Sequence, residues 1–249
     1  MELLLLSLSE VTPGEAAGFG IWFLVMVAVP ILRWVFGPGA ERVGISLGVL
    51  AQAGLVVYVL SFYLDLPRLA LTIVAVPLLG WLAEFLGSRT GFPFGDYSYT
   101  DVLHPQVGHV PVIIPLAWLM MMPPAWTVAE LIVGPENRLL TALVAGAAFT
   151  AWDFFLDPQM VGWNFWEWHR KGGYFGIPWI NFLGWFLVGS AISYLIAPAG
   201  AAEMHVLYLV FIVTWFLQGF GQFFFWKLRG PAIAGLVIMG FFVAAPLLV

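Results

Sequence analysis

Three acidic residues lie where long apolar segments give way to polar, aromatic loops. Glu84 is near the end of one such segment, and Asp153 and Asp157 are near the end of another. Only 9% of the residues are Asp, Glu, Lys or Arg. Because an ionisable side chain at membrane depth is energetically expensive, these three carboxylates are the first candidates for functional groups.

Asp153 and Asp157 are one helical turn apart and are therefore expected to share one helix face. Two carboxylates at this spacing in a medium of low dielectric constant resist ionising together, so the pair can present one acid and one base. That arrangement suits protonation of an unactivated double bond followed by deprotonation of incoming water. The alternative is that Asp157, which precedes Pro158, only ends the helix.

Two further acids are expected near this pair. Glu84, in GWLAEFLGSRTG, has the same predicted depth and side, although an ion pair with Arg89 would also explain it. Asp96 lies in GFPFGDYSY beside Tyr97 and Tyr99, whose phenols offer aromatic faces and hydrogen-bond donors. An interfacial aromatic belt is the alternative for that loop. The predicted catalytic residues are Asp153, Asp157, Glu84 and Asp96.

Aromatic residues dominate the stretch VGWNFWEWHRKGGYF at 161–175. It is interpreted either as an amphipathic interfacial segment or as the lining of a portal for a lipid-soluble substrate. Aromatic faces stabilise a nearby cation by about 1–2 kcal/mol each when desolvated. Asn181, in the next helix, needs a polar partner, for which an interhelical hydrogen bond is the simpler explanation. The predicted substrate-binding residues are Tyr97, Tyr99, Phe155, Trp163, Trp166, Tyr174, Asn181 and Trp185.

The elements that position these residues are apolar helices. With 62% hydrophobic residues, the chain is incompatible with a soluble domain. Stretches long enough to cross about 30 Å of hydrocarbon recur along it. We read eight, at 17–36, 43–63, 69–86, 109–133, 139–157, 176–197, 205–226 and 230–248. The prediction is an all-α, polytopic transmembrane bundle forming one integral-membrane domain over residues 1–249.

The span count has one alternative, seven, because four prolines at 111–124 can kink the fourth stretch or end it early. The opening MELLLLSLSE is not expected to be a signal peptide, since it lacks a basic leader and its apolar run is short. Two connections, at 87–108 and 158–175, are long; they contain His104 and His169, and His109 follows the first of them directly. Such loops tend to carry function.

Basic residues predict the orientation. Seven of the nine Lys and Arg residues lie near odd-numbered connections, and only Arg68 and Arg138 lie near even-numbered ones. The excess of positive charge predicts that the odd connections, including both long loops, are cytoplasmic and that both termini are outside the cell membrane.

Several chemistries are disfavoured by what the chain lacks. It has no cysteine, only four histidines and only two lysines, so iron–sulfur, di-iron and retinal Schiff-base sites are not expected. No glycine-rich phosphate-binding fingerprint, metal-spaced cluster or basic nucleic-acid patch occurs in the sequence. No cofactor and no metal are therefore predicted, and nucleic acid is not an expected partner.

The two helices that follow the long connections begin with weakly similar sequences. VPVIIPLAW (110–118) and IPWINFLGW (177–185) both place Pro and Trp seven residues apart, after HPQ and DPQ respectively. Two such units of the same orientation can form a pseudo-symmetric cavity. Coincidence in a chain rich in Pro and Trp is the alternative.

Three runs together carry a family resemblance: GFPFGDYSYTDVLHPQVGHVPVIIPLAW, DFFLDPQMVGWNFWEW and GGYFGIPWINFLGW. Between Glu84 and Trp185 the chain resembles the integral-membrane carotenoid-biosynthesis family that includes the CruF-type carotenoid 1,2-hydratases. The resemblance implies a hydro-lyase that adds water to the terminal 1,2 double bond of an acyclic (ψ) carotenoid end. It implies γ-carotene, lycopene or C50 bacterioruberin precursors as substrates. Water, membrane lipid and other carotenoid-pathway enzymes are the remaining expected partners.

Three other functions remain open from the residues. A carotenoid or prenyl-lipid isomerase or cyclase would use the same protonation and quench the cation by losing a proton. A proton-coupled transporter would use the acids as a relay, although acids at one face do not trace a path across the bilayer. A non-catalytic carotenoid-binding subunit would not need the paired aspartates.

Overall fold

Among the residues that the structure describes, the fold is a transmembrane bundle of eight helices. The computed structural model describes residue 3 and residues 9–248, so the prediction for MELLLLSLSE falls largely outside the described part. The helices are α1 (Pro13–Phe36), α2 (Pro38–Tyr63), α3 (Leu66–Thr90), α4 (Ile113–Val133), α5 (Arg138–Gly162), α6 (Trp179–Ile196), α7 (His205–Phe224) and α8 (Arg229–Ala244). Eight spans, the last including the 3-10 turn Ala245–Leu247, are long and apolar enough to cross a membrane. The predicted all-α membrane architecture is confirmed.

Local sequence signals start and end several of these helices. Thr12 and Glu15 form a reciprocal capping box at the start of α1. Asp65 caps α3 by accepting from the Arg68 backbone N–H at 2.9 Å. Gly91 ends α3 with a φ of 74°, a left-handed conformation that glycine adopts at little cost.

Two helices continue through internal prolines because side chains bind the carbonyls that proline leaves free. Pro124 cannot donate to the Met120 carbonyl, and the Gln52 amide donates to it instead at 3.1 Å. Likewise Pro158 frees the Phe154 carbonyl, and the Tyr174 hydroxyl donates to that oxygen at 2.9 Å. The fourth span therefore does not end early.

The acids lie within their helices and not at the helix ends. Asp157 does not end its helix, because α5 runs on to Gly162. Glu84 likewise lies inside α3, which runs on to Thr90. The acids are therefore on the inner walls of the bundle, held by rigid helix, instead of at the frayed ends of helices.

Helix α5 packs closely against α6 at a pair of small residues. A Cβ added to Gly146 would lie 2.1 Å from the Ser190 Oγ and 2.7 Å from the Ser190 backbone nitrogen. Only glycine allows this approach, and small residues at such crossings are typical of membrane helix pairs. The crossing places the acidic end of α5 opposite Asn181 of α6.

The two long connections are joined by short strands. Strand β1 (Tyr97–Tyr99) pairs antiparallel with β4 (Trp166–Trp168), with Tyr97 opposite Trp168 and Tyr99 opposite Trp166. Strands β2 (Gln106–Val107) and β3 (Val110–Pro111) form a second pair. Because side chains alternate along a strand, these four aromatic residues share one face of the β1–β4 ribbon.

Candidate active site

The two aspartates of α5 share one amide. The Asn181 side-chain nitrogen donates to Asp153 Oδ2 at 2.8 Å and to Asp157 Oδ2 at 2.7 Å. All three side chains are buried. A single neutral donor group therefore holds two carboxyl groups in fixed positions at the α5–α6 contact.

The two carboxyl groups differ in their remaining partners. Asp157 Oδ1 accepts from the indole nitrogens of Trp166 at 2.6 Å and Trp168 at 3.3 Å, both from β4. Asp153 Oδ1 is buried and has no hydrogen-bond partner among the described residues. Donors stabilise the ionised form of a carboxyl group, so the arrangement favours a charged Asp157 more than a charged Asp153.

Glu84 is the third buried carboxyl group of the cluster. It accepts from the hydroxyls of Tyr97 and Tyr99, the latter at 2.8 Å, and from the Trp118 indole nitrogen at 3.2 Å. Arg89 stacks over the Phe85 ring, with its guanidinium carbon 4.1 Å from the centroid. Tyrosine and tryptophan donors thus satisfy Glu84.

The phenols beside Glu84 stay protonated. Burial and the neighbouring Glu84 carboxylate raise the pKa of Tyr97 and of Tyr99 well above the usual value of 10. Neutral phenols are donors, so β1 presents two fixed O–H groups to the carboxylate at neutral pH.

A small cavity of about 30 Å³ lies between these acids. Its wall includes the three acids, Asn181, Phe94, Tyr97, Tyr99, Trp118, Trp166, Trp168 and Trp185. Trp118 and Trp185 stack there, with ring centroids 5.1 Å apart and planes at 25°. A space of this size with several polar partners suits one or two water molecules.

A second, apolar cavity of about 270 Å³ adjoins the acid cavity. The two share four wall residues, Ile114, Ala117, Leu156 and Trp166. Three exposed side chains also line the apolar cavity: Ile31 of α1, Phe220 of α7, and Phe225, which follows α7. Helix α5 thus turns Trp152 and Gln159 towards the apolar cavity and Asp153 and Asp157 towards the acid cavity, with Leu156 lining both.

The structure brings together most of the residues singled out from the sequence. Glu84, Asp153, Asp157, Tyr97, Tyr99, Trp166, Asn181 and Trp185 all line the acid cavity. Trp163 lines the apolar cavity only. Their roles in catalysis and substrate binding stay predictions.

Three predicted site residues lie elsewhere. Asp96 is exposed, and its Oδ1 lies 2.9 Å from His169 Nδ1, within hydrogen-bond distance. This contact ties the two long loops together. Phe155 packs against α8, where a Cβ on Gly235 would lie 2.6 Å from its ring. Tyr174 binds the Phe154 carbonyl, so it supports the course of α5 behind the acids.

Trp118 and Trp168 donate to the carboxylates, and Phe94 lines the same cavity; none of the three was singled out for the site. The repeated Pro–Trp spacing was a signal for Trp118, whose ring stacks on Trp185. The alternation WEW at 166–168 was a signal for Trp168, because it places two indoles on one strand face. Within the described residues, no group of three or more His, Asp or Glu side chains is arranged to hold a metal ion.

The sequence matches that of a known protein family over most of its length. The family model for carotenoid biosynthesis proteins matches residues 43–242, from near the start of α2 to near the end of α8. The chain belongs to the carotenoid biosynthesis protein family. No solved structure matches the chain.

One curated relative has an assigned activity. The chain is 32% identical over 126 residues to a bisanhydrobacterioruberin hydratase of Haloarcula japonica. That match covers 49% of this chain and 43% of the relative. The similarity therefore spans less than half of each protein.

Proposed function

We propose that the protein is a cofactor-independent carotenoid hydratase that adds water to the terminal 1,2 double bond of an acyclic carotenoid end. One observation carries the proposal: Asp153 and Asp157, bridged by Asn181, line a water-sized cavity that shares a wall with a larger apolar cavity. The family membership and the hydratase relative support the same substrate class.

The hydrogen bonds suggest which carboxyl group is the acid. Asp153 accepts one hydrogen bond, from Asn181, and its other oxygen has no partner among the described residues. Asp153 is therefore the group that carries a transferable proton. Asp157 and Glu84 each accept from three donor groups, which favours the ionised form that the proposed mechanism assigns to both. Asp157 is the base, and Glu84 supplies fixed negative charge beside the cation.

The reaction then balances without an oxidant, a reductant or a cofactor. Asp153 gives its proton to C2 of the double bond, which leaves a tertiary cation at C1. The oxygen of a water molecule in the acid cavity forms a bond to C1 and releases one proton to Asp157. Transfer of that proton back to Asp153, which shares the Asn181 amide with Asp157, restores the starting state.

Aromatic side chains at the shared wall suit the cationic step. Trp166 belongs to both cavities, and Trp118 and Trp185 stack beside the acids. An aromatic face over a desolvated cation contributes about 2 kcal/mol, or roughly thirtyfold in rate when it acts only in the transition state. The apolar cavity would hold the end of the polyene, while the rest of the polyene lies in the lipid.

Pigment analysis tests the proposal directly. The chain is expressed in cells that accumulate lycopene, in water enriched in oxygen-18, and the pigments are separated and weighed by mass spectrometry. We expect a product heavier than lycopene by one water, with its oxygen taken from the labelled solvent. A product of unchanged mass would instead indicate an isomerase or cyclase and would contradict hydration.

Variants connect that product to the site. Asp153→Asn should lower conversion by at least about a hundredfold, because general acid catalysis commonly contributes that much. Asp101→Asn is the matched control, since that side chain is 100% exposed on the same loop system. Hydration at the parental rate by a membrane-inserted Asp153→Asn protein would refute the assignment of the acid.

A further inference from the structure

The apolar cavity has a polar stripe that the hydration reaction does not use. Its wall includes Ser46, Gln52, Gln159, Thr214 and Gln218 among otherwise apolar side chains. Gln52 is explained by the Met120 carbonyl that it binds. The other two amides and the threonine lie beyond the acid cavity and need a separate explanation.

Helix α7 supplies Thr214 and Gln218 of this stripe, and Gln222 lies one turn further along the same helix. Thr214, Gln218 and Gln222 follow at intervals of four residues and so share one helix face. Gln222 donates to the Phe155 carbonyl at 2.7 Å, and weaker contacts link it to Gln159 at 3.4 Å and Gln218 at 3.5 Å. The stripe is thus an organised row of amides next to α5.

The row has unused hydrogen-bonding groups. Thr214 Oγ1 and Gln222 Oε1 are buried without a partner among the described residues, and Thr214 is 0% exposed. Gln218 is half-buried, and its amide nitrogen donates to no acceptor among the described residues. Buried polar groups without partners are costly, most of all in a membrane where water cannot reach them freely.

We infer that Thr214 and Gln218 form a second polar subsite, which binds a neutral O–H group inside the apolar cavity. A hydroxyl both donates and accepts, which matches a threonine hydroxyl beside a glutamine amide and does not require a charge. The group comes either from a polyene that already carries a hydroxyl near the reacting end or from an ordered water. The inference rests on the proposed function for the nature of the occupant.

Binding measurements test the subsite without requiring turnover. The full chain is reconstituted in lipid nanodiscs, and the Kd is measured for lycopene and for lycopene carrying one terminal hydroxyl. Thr214→Val and Gln218→Leu remove the polar groups at nearly constant volume. Thr127→Val is the matched control, because that buried hydroxyl binds its own helix at the Pro123 carbonyl and lies outside both cavities.

A substrate hydroxyl predicts that the parental chain binds the hydroxylated polyene about five- to tenfold more tightly, as one hydrogen bond allows. Both variants should then lose this preference and keep lycopene binding unchanged. A bound water predicts equal binding of the two polyenes and an equal fall in the single-turnover rate for both in each variant. Variants that match Thr127→Val in binding and in rate would overturn the subsite.

These readouts separate the two proposals. A hydroxyl preference that disappears in Thr214→Val, in a protein that forms no hydrated product, would keep the subsite and reject hydration. Hydrated product from lycopene with no effect of either variant would do the reverse.

Discussion

The side-chain nitrogen of Asn181 lies 2.8 Å from the Asp153 carboxyl group and is the sole protein donor to it among the described residues. The same nitrogen also binds Asp157. Asn181 therefore acts through the two acids, as a positioning residue that fixes their separation.

Replacing this bridge should impair the reaction more than substrate binding. Asn181→Leu, which has a similar volume, removes the donor to both acids and should lower kcat by about 10- to 100-fold, as expected for a hydrogen bond to a charged group. The KM and the retention of pigment by the purified protein should change little. A KM effect without a kcat effect would show that Asn181 contacts the polyene instead.

The indole N–H groups of β4 should stabilise the ionised form of Asp157. Trp166→Phe and Trp168→Phe keep an aromatic ring and remove one donor each. We expect the acidic limb of the pH–rate profile to move to higher pH, because the carboxylate loses stabilisation. Trp34→Phe, at a side chain that is 87% exposed on α1, is the control and should leave the profile unchanged.

The raised phenol pKa values predict an alkaline limit to stability. Tyr97 and Tyr99 bind their protons more tightly in the folded state, so the stability they contribute is complete below pH 10 and is lost as pH rises through their folded pKa values. Thermal unfolding followed between pH 7 and pH 12 should show Tm falling above about pH 10. Tyr97→Phe with Tyr99→Phe should reduce that fall, and an unchanged slope would contradict the buried-phenol explanation.

The predicted orientation can be tested without engineering a background, because the natural chain has no cysteine. Asp101→Cys, in the connection between α3 and α4, and Glu136→Cys, between α4 and α5, provide exposed single thiols on opposite sides. A maleimide that cannot cross membranes should label Glu136→Cys in intact cells and Asp101→Cys only after permeabilisation. The reverse labelling would invert the topology.

The α5–α6 crossing should tolerate no side chain at Gly146. Its Cβ would lie within 2.7 Å of the Ser190 backbone nitrogen, so Gly146→Ala forces the helices apart. We expect a loss of stability of about 1–3 kcal/mol from overpacking and a fall in activity, because the acids and Asn181 lie on these helices. Gly54→Ala, an exposed mid-helix position with nothing within 4 Å of the added Cβ, is the control and should keep or raise Tm.

The sequence by itself determined the eight spans and the acids within them. Long apolar stretches have no alternative to helix in lipid, because each backbone polar group must be paired within its own segment. The four-residue spacing of Asp153 and Asp157 likewise fixed their shared face. These are local properties, and local geometry is what a linear pattern records.

Only the tertiary structure decided which aromatic and polar groups meet the acids. Trp118 reaches Glu84 because α4 lies against α3, while Phe155, on the same helix as the aspartates, turns to α8. Asp96 points to His169, although its neighbour Tyr97 binds Glu84. Helix crossings and the β1–β4 pairing join residues that are distant along the chain, and a sequence pattern does not specify those distances.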